Sequence, residues 1–436
     1  MNSLKEKISL TEKLVLEFEK NGDKNATSPF IQAIQKKAID SFSLLGIPNK
    51  KNEEYKYANV QAVFERNCRL QIADYRLNIS IEKYLIPDLN ANIIVLVNGV
   101  FFDEYSTVKN LPKGIMISSI NKAFENNSEI IKNHFSKIAD INSDAFIALN
   151  TAFINDGVFL FVPENTIVEK PIHTINIFTT SNSVISPRNL FIIGNNSQAQ
   201  IIETTIVTDE TNNFISIPVT EIFVNENAKL QYYKFQNAKN NSEINTTQVH
   251  QKANSHFDTN TATIDSSWVR NNLNIFLDGE NCETHLNGLF ITKENEFVDN
   301  HTFVDHQKPH CQSNQLYKGI LNGKSTGVFN GKIFVKPDAQ KTNAYQSSKN
   351  ILLTDEATIN TKPQLEIYAD DVKCSHGSTT GQLNEEALFY LRSRGLSEES
   401  SKTLLLSAFA NNVLDTIKCE ALKNHLEKLV QNHLNN

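Results

Sequence analysis

Leu190-Phe191-Ile192-Ile193-Gly194-Asn195-Asn196-Ser197-Gln198-Ala199-Gln200-Ile201-Ile202 sets two short apolar runs on either side of one polar turn. The β-branched and aromatic residues read as strands and Gly194 to Ser197 as the turn. The turn phrase is an apolar residue, a polar turn, then Ala or Thr and another apolar residue. It recurs at Val224-Asn225-Glu226-Asn227-Ala228 and at Leu353-Thr354-Asp355-Glu356-Ala357. Its irregular spacing suggests a repeat without fixing a period. Similar Val/Ile/Phe/Thr stretches lie at Ile93 to Val97, Val158 to Val162, Ile172 to Thr179, Ile215 to Val224, Leu230 to Phe235, Leu273 to Leu277, Leu289 to Thr292 and Val328 to Val335. From Gly157 to Tyr368 no amphipathic segment reads as a helix, which excludes an alternating βαβ sheet and leaves a sandwich, a barrel or a solenoid. Short strands with few Gly and Pro suit a parallel β-helix, whose coils need not be equal in length and whose stack buries Val/Ile faces and Asn-rich corners. The expected fold is therefore mainly β, with a parallel β-helix core ranked above a sandwich.

Helical periodicity frames this region. Leu10, Leu14, Leu16 and Phe18, then Phe30, Ile31, Ile34 and Ala38, recur at helical steps with a break at Asn25 to Pro29. Beyond Gly381 the period returns at Asn384 to Leu391, breaks at Gly395, and resumes from Leu404 to Ile417 with Ser397 as an expected N-cap. The layout expected is an N-terminal helical region over 1–92, a β-helix core over 93–380 and a C-terminal helical domain over 381–436.

The 436 residues allow two or three domains. Forty-two Lys and Arg against 49 Asp and Glu give a net charge of -7, the wrong balance for a general nucleic-acid binder. Cys68, Cys282, Cys311, Cys374 and Cys419 are scattered and form no CxxC pair, so reduced thiols are expected. Met1 to Leu10 lacks an apolar h-region and no apolar run approaches the ~20 residues of a membrane span, so a cytoplasmic protein is expected. The 55 Asn and the scarcity of Arg, seven among 42 basic residues, fit an AT-rich coding sequence. The few Arg are then more informative than the Lys.

Three segments carry candidate chemistry. Gly319-Ile320-Leu321-Asn322-Gly323-Lys324-Ser325 has one residue too few between its glycines for a phosphate loop and leads into a strand, so a hairpin-like turn and no bound nucleotide are expected. His301, His306, His310 and Cys311 crowd together but match no closed zinc spacing. On a strand His306 and His310 would share a face, while Pro309 suggests a corner just before His310, with packing the simpler role and metal binding the alternative. In Asp370-Asp371-Val372-Lys373-Cys374-Ser375-His376-Gly377 the period of two puts Cys374 and His376 on one side of an extended chain. Thiol and imidazole could converge on one ion there, and Lys373 could lower the thiol pKa. Two ligands do not close a tetrahedral site, so a second chain or a transient cargo would supply the rest.

At this string the chain resembles the SufB/SufD family of iron–sulfur cluster assembly scaffold proteins, and within it the SufD branch. Asn52-Glu53-Glu54-Tyr55-Lys56-Tyr57 is similar to the family's Glu-x-Trp-Lys-Tyr phrase, with Tyr55 in place of Trp. Asn98-Gly99-Val100-Phe101, Ala148-Leu149-Asn150-Thr151-Ala152-Phe153 and Lys170-Pro171-Ile172-His173 resemble the entry into its β domain. Ala339-Gln340-Lys341-Thr342, Lys362-Pro363-Gln364-Leu365-Glu366-Ile367 and Phe389-Tyr390-Leu391-Arg392-Ser393-Arg394-Gly395 extend the likeness through the C-terminal third. Gln346-Ser347-Ser348-Lys349 lies close to where SufB carries its essential Cys, so this chain should not be the primary sulfur acceptor.

The resemblance implies a right-handed parallel β-helix flanked by helical domains, acting with SufB and the SufC ATPase and receiving sulfur from a desulfurase system through SufB. It implies a scaffold and not an enzyme. Cys374 and His376 would help hold transient iron or a nascent iron–sulfur cluster shared with SufB. A purely structural subunit that stabilises SufB without touching iron is the alternative, and a β-helix carbohydrate enzyme using Asp370 and Asp371 the remote one. The isolated chain could form a homodimer. Tyr390, Arg392, Arg394, Leu405 and Phe409 are expected to dock SufC, because Leu404, Leu405, Ala408, Phe409, Val413 and Leu414 form a wider apolar stripe than a helix pair can bury. SufC closure would then open the interface holding His376. Removing residues from Asn384 onward is expected to leave a soluble β core.

Overall fold

The computed structural model describes residues 8–21, 29–67, 80–179, 183–208, 214–237, 239 and 241–435; Cys68 lies outside them. Two sheets face each other from Asn92 onward. The first runs from strand Asn92–Val97 through Ile172–Phe178, Gln198–Val207, Lys229–Asn237, His256–Ile264, Glu283–Thr292, Gln312–Leu321 and Asn343–Leu352 to Lys373–Gly381. The second runs from Val158–Val162 through Arg188–Ile193, Val219–Val224, Ser242–Gln251, Trp268–Leu277, Phe297–His306 and Thr326–Val335 to Thr358–Ile367. The chain alternates between them, and the pairings along both series are parallel. This is the expected β-helix. Antiparallel strands, Val100–Phe101 and Met116–Ser119, close off the beginning of each sheet.

One corner shows why the sequence stacks in this way. Asn165, Asn196, Asn227, Asn254 and Asn281 all have φ between 56° and 58°, a left-handed conformation that Asn tolerates better than other side chains with a Cβ. Their amides form a ladder along the stack: Asn196 Nδ2 donates to Asn165 Oδ1 (2.9 Å), Asn227 to Asn196 (3.0 Å) and Asn281 to Asn254 (3.2 Å). The step between rungs varies between 31 and 27 residues. His310 and Lys341 continue the corner with the same positive φ. From Asn196 onward the residue after each rung is small and buried: Ser197, Ala228, Ser255, Cys282, Cys311 and Thr342. Asp265, Glu294 and Gly323 form the opposite corner. The turns at Asn196 and Asn227 belong to the first corner, whereas Thr354 bonds to Gly323 at the second, so the repeated phrase mixes two corners and loses its period. Gly319 to Ser325 is likewise a corner between strands of different sheets, not a hairpin.

Between the sheets lies a core of alternating residues, among them Leu160, Phe191, Ile222, Tyr232, Phe257, Leu286 and Phe329. The outer faces are covered by helices. Leu10–Asn21 and Pro29–Leu45 bury Leu14, Phe18, Ala38 and Phe42 with Phe146 of helix Ala145–Ala152 and Ile215 and Ile244 of the second sheet. Leu16, expected on this stripe, is exposed because it lies two residues from Leu14 and Phe18 and so points away. Ile120–Asn126, Ser128–His134 and Ala145–Ala152 interrupt the early strands. Every residue of Ala145–Ala152 is buried, leaving no amphipathic period to read in the sequence.

At the C-terminus, helices Glu385–Ser393, Glu398–Leu414 and Glu420–Asn435 follow the strands. Asn384 and Ser397 cap the first two, accepting from Ala387 N and Ser400 N. Among the described residues no helix is long and apolar enough to cross a membrane.

Candidate functional site

The solenoid ends differently from how it begins. Strands Thr358–Ile367 and Lys373–Gly381 are each paired on one side only, and no element follows them in the sheet order. Ala344 stands opposite Cys374 and Gln346 opposite His376. Cys374 packs against the interior cluster of Ile333, Val335, Ala339 and Ala344, so it and His376, two residues on, face the inside of the last coil. Ser378, on the same side, donates across the coil to Thr361 Oγ1 at 2.9 Å. With no further coil above, Cys374 is half-buried and His376 exposed. A Cβ built at Gly377 or Gly381, on the opposite face of this strand, would meet nothing within 4 Å, so the outer side of the last coil is uncovered as well.

Burial pushes the Cys374 thiol above its ordinary pKa, only partly offset by a hydrogen bond from the Ala344 backbone. This corrects the expectation that Lys373 lowers it. Lys373 is exposed on the opposite face of the strand. The imidazole is thus the more available ligand, and the thiol must lose a proton first. Of the two carboxylates considered for an enzyme, Asp371 is held by the ammonium of Lys341 and its backbone by Gln340 and Lys341.

The His301 to Cys311 cluster does not converge. His301 points outward and joins Asp299 (2.8 Å), Glu54 (3.2 Å) and Arg270 (3.1 Å). His306 is fully buried, bonded to Ser313 Oγ at 2.9 Å, and burial lowers its pKa to about 3. His310, expected on the face of His306, has already left the strand for the Asn corner. Cys311 fills the small buried position behind that corner. Ion pairing accounts for His301 and packing for His306 and Cys311, while His310 is exposed at the corner.

The C-terminal stripe is largely spent inside the molecule. Leu406, Ala410, Val413 and Leu414, with Leu422, Leu426 and Val430, cover Ile202, Tyr233, Phe235, Ile264, Leu289 and Ile320 on the outer face of the first sheet. The stripe is wider than the helix pair buries by itself, as expected, but the inference that a partner must cover Val413 and Leu414 is corrected, because the outer face of the first sheet receives them. Phe409 and Leu405 are half-buried, with Lys318 Nζ 4.1 Å from the Phe409 ring centre and 2.9 Å from its carbonyl oxygen. Arg392 pairs with Glu398 (3.4 Å), and Arg394 lies over the Tyr390 ring and donates to its hydroxyl. The large apolar side chains left to solvent are Phe389 (75 %), Tyr390 (56 %), Leu396 and Leu404.

The N-terminal phrase contributes a feature that the sequence reading passed over. The short turn Glu53–Tyr55 lies on the outer face of the second sheet. Arg270 Nη1 donates to the Glu54 carbonyl (2.8 Å), Asn330 to the Glu54 carboxylate (3.1 Å), and Lys362 to Glu53 (2.7 Å). Arg270 and Arg188 are both buried and ion-paired, with Asp299 and Glu221. The rarity of Arg was the available signal for both.

Comparisons with known proteins agree along most of the chain. Residues 12–174 match the family described as SufBD protein N-terminal region, and residues 176–409 that described as SUF system FeS cluster assembly, SufBD core domain. An iron-sulfur cluster assembly SufBD family protein of Synechocystis is 32% identical over 406 residues, covering 90% of this chain and 89% of the relative. The iron-sulfur cluster assembly protein SufD of Escherichia coli is 43% identical over 155 residues, 36% of this chain and 37% of its own. That of Bacillus subtilis is 23% identical over 332 residues, 73% of this chain and 74% of its own.

Proposed function

Because the chain belongs to the SufB/SufD family of the SUF iron–sulfur cluster assembly system, we propose that it acts as a SufD-type scaffold subunit beside SufB and the SufC ATPase, with iron or a nascent cluster as cargo. The observation that carries this reading is the open last coil. Lys373–Gly381 offers nine residues of edge whose one Lys is at the end and which has no proline, whereas its neighbour at the mouth, Thr358–Ile367, carries Lys362 and Pro363 in its middle. Natural proteins seldom leave a long unpaired edge bare, and Lys and Pro are the usual devices that blunt one. An edge strand of SufB added there would close over Cys374 and His376 and supply the missing ligands. Two soft ligands from each of two chains make a site that can form and release its cargo.

Phe389, Tyr390, Arg392 and Arg394 on the outer C-terminal helix, with Leu405 and Phe409 on the next, make the surface proposed for SufC. Helix Glu398–Leu414 is bonded to the first sheet through Asn260 and Lys318, so a pull on it would reach the strands that lead to the mouth. The same open edge would serve a purely structural partner of SufB. Anaerobic reconstitution with iron and sulfide decides between the two. The heterocomplex with SufB should assemble cluster and this chain alone should not. Equal loading of complexes carrying wild-type chain and Cys374→Ala/His376→Ala would leave only the structural role.

A further inference from the structure

His256 and Asp258 on one strand of the first sheet stand beside Glu283 and His285 on the next, in the register His256 to Glu283 and Asp258 to His285. All four face outward, because Phe257 and Leu286 point into the core. His256 Nε2 and His285 Nδ1 approach the same atom, Asp258 Oδ1, at 2.8 and 2.7 Å. The opposite nitrogens, His256 Nδ1 and His285 Nε2, face the Glu283 carboxylate at 3.3 and 3.4 Å. The other oxygen of Asp258 is taken by Lys418 Nζ at 2.8 Å, from the turn between the last two helices.

We propose that His256, His285 and Asp258 form a binding site for one divalent first-row transition metal ion of the zinc or ferrous class on the outer face of the solenoid. Two imidazole nitrogens and one carboxylate oxygen already lie within 4.8 Å of one another. An ion about 2.0–2.2 Å from each donor needs them to open only slightly from their present spacing. Two imidazoles and a carboxylate with open positions suit Zn2+ or Fe2+ better than Ca2+ or Mg2+, which take oxygen. Glu283 stands where outer carboxylates stand at such sites, 3.3 and 3.4 Å from the far nitrogen of each ligand imidazole, close enough to accept those N–H groups and fix the tautomer once an ion is bound. Lys418 neutralises Asp258 on the side away from the donors. His256 is 23 % and His285 32 % exposed at the side chain, and His256 borders a cleft of about 410 Å3 shared with Lys229 and Lys418, which gives an ion a way in. The site is distinct from the mouth of the solenoid and does not rest on the function proposed for Cys374 and His376.

The test uses the full chain carrying Cys374→Ala and His376→Ala, so that ligands at the mouth cannot contribute. Titration with Co2+ should give ligand-field absorption saturating at one equivalent, and Zn2+ should displace it. Adding His256→Ala and His285→Ala should remove that equivalent while the thermal melt of the metal-free protein stays cooperative. Glu283→Gln, which keeps the ligands, should weaken Co2+ by about 10- to 100-fold. A Co2+ equivalent that survives His256→Ala/His285→Ala, or no Co2+ spectrum before those substitutions are made, overturns the proposal.

Discussion

The guanidinium of Arg270 lies 4.0 Å from the centre of the Tyr55 ring and pairs with Asp299 at 2.5 Å, both ions being almost wholly buried. The cation and its carboxylate hold the N-terminal turn against the second sheet. Asp299→Ala strands a buried guanidinium and should cost about 3–5 kcal/mol in chemical denaturation. Tyr55→Phe should be nearly silent, since the hydroxyl reaches Asp144 only at 3.5 Å. An Asp299→Ala protein of wild-type stability would show that Arg270 finds water or another partner.

The Asn corner predicts a contrast between two substitutions at one residue. Asn196→Val puts a β-branched side chain at φ 56° and should lose about 1–2 kcal/mol, with the lost ladder bonds adding to it. Asn196→Gly keeps the conformation accessible and should fall between Val and wild type. Urea midpoints at constant slope measure the order. Equal losses would mean that the side-chain ladder, not φ, is what matters.

Asp265 at the other corner is ion-paired with His433 (3.1 Å) and Lys293 (3.2 Å), and these partners lower its pKa to about 2. A carboxyl depressed in the fold contributes stability above its unfolded pKa of 3.8 and loses it as pH falls toward 2. Stability between pH 4 and about 2 should therefore drop more steeply for wild type than for Asp265→Asn. Parallel pH profiles for the two proteins would exclude this linkage between the corner and the last helix.

His376→Ala removes an exposed side chain, so the melting temperature should hardly move while iron retained by the heterocomplex falls. Cys374→Ser should reduce iron less, since its thiol is held protonated by burial. Iron per complex, determined after anaerobic loading, ranks the two. Full loading by the His376→Ala complex would remove the imidazole from the proposed site.

Deleting everything from Asn384 onward is a poor probe of the C-terminal surface. Contrary to the sequence-based expectation of a soluble core, it would uncover Tyr233, Phe235, Ile264, Leu289 and Ile320 together. Phe389→Ala with Tyr390→Ala removes only exposed rings. Capture of the SufC ATPase should fall by about tenfold or more if these rings are central to docking, with thermal stability retained. Undiminished capture would place docking elsewhere.

The strands, the Asn-rich corners, the Ser397 cap and the shared side of Cys374 and His376 were legible because each depends on local conformation or on a period of two. What the sequence withheld depends on contacts between distant segments. The burial of Val413 and Leu414 needed the outer face of the first sheet, which alternates with the core and so cannot be told from solvent-facing strand residues. His301 and His306 lie on opposite faces of one strand by the period of two, whereas the separation of His310 from His306 turned on where the strand ends, since beyond it that period no longer applies. The rise in the Cys374 pKa follows from burial against residues far away in sequence, such as Ile333 and Val335.

Stacking coil on coil also fixes an order of assembly. Each strand pair rests chiefly on its neighbours, so structure can spread along the chain one coil at a time as it is synthesised, with little loop closure at each step. The coil with Cys374 and His376 is then the last to be laid down. The helices that seal the outer face of the first sheet follow it and reach back to Tyr233 and Asn260. A growing chain thus exposes its ligand-bearing edge only once nearly everything beneath it is in place.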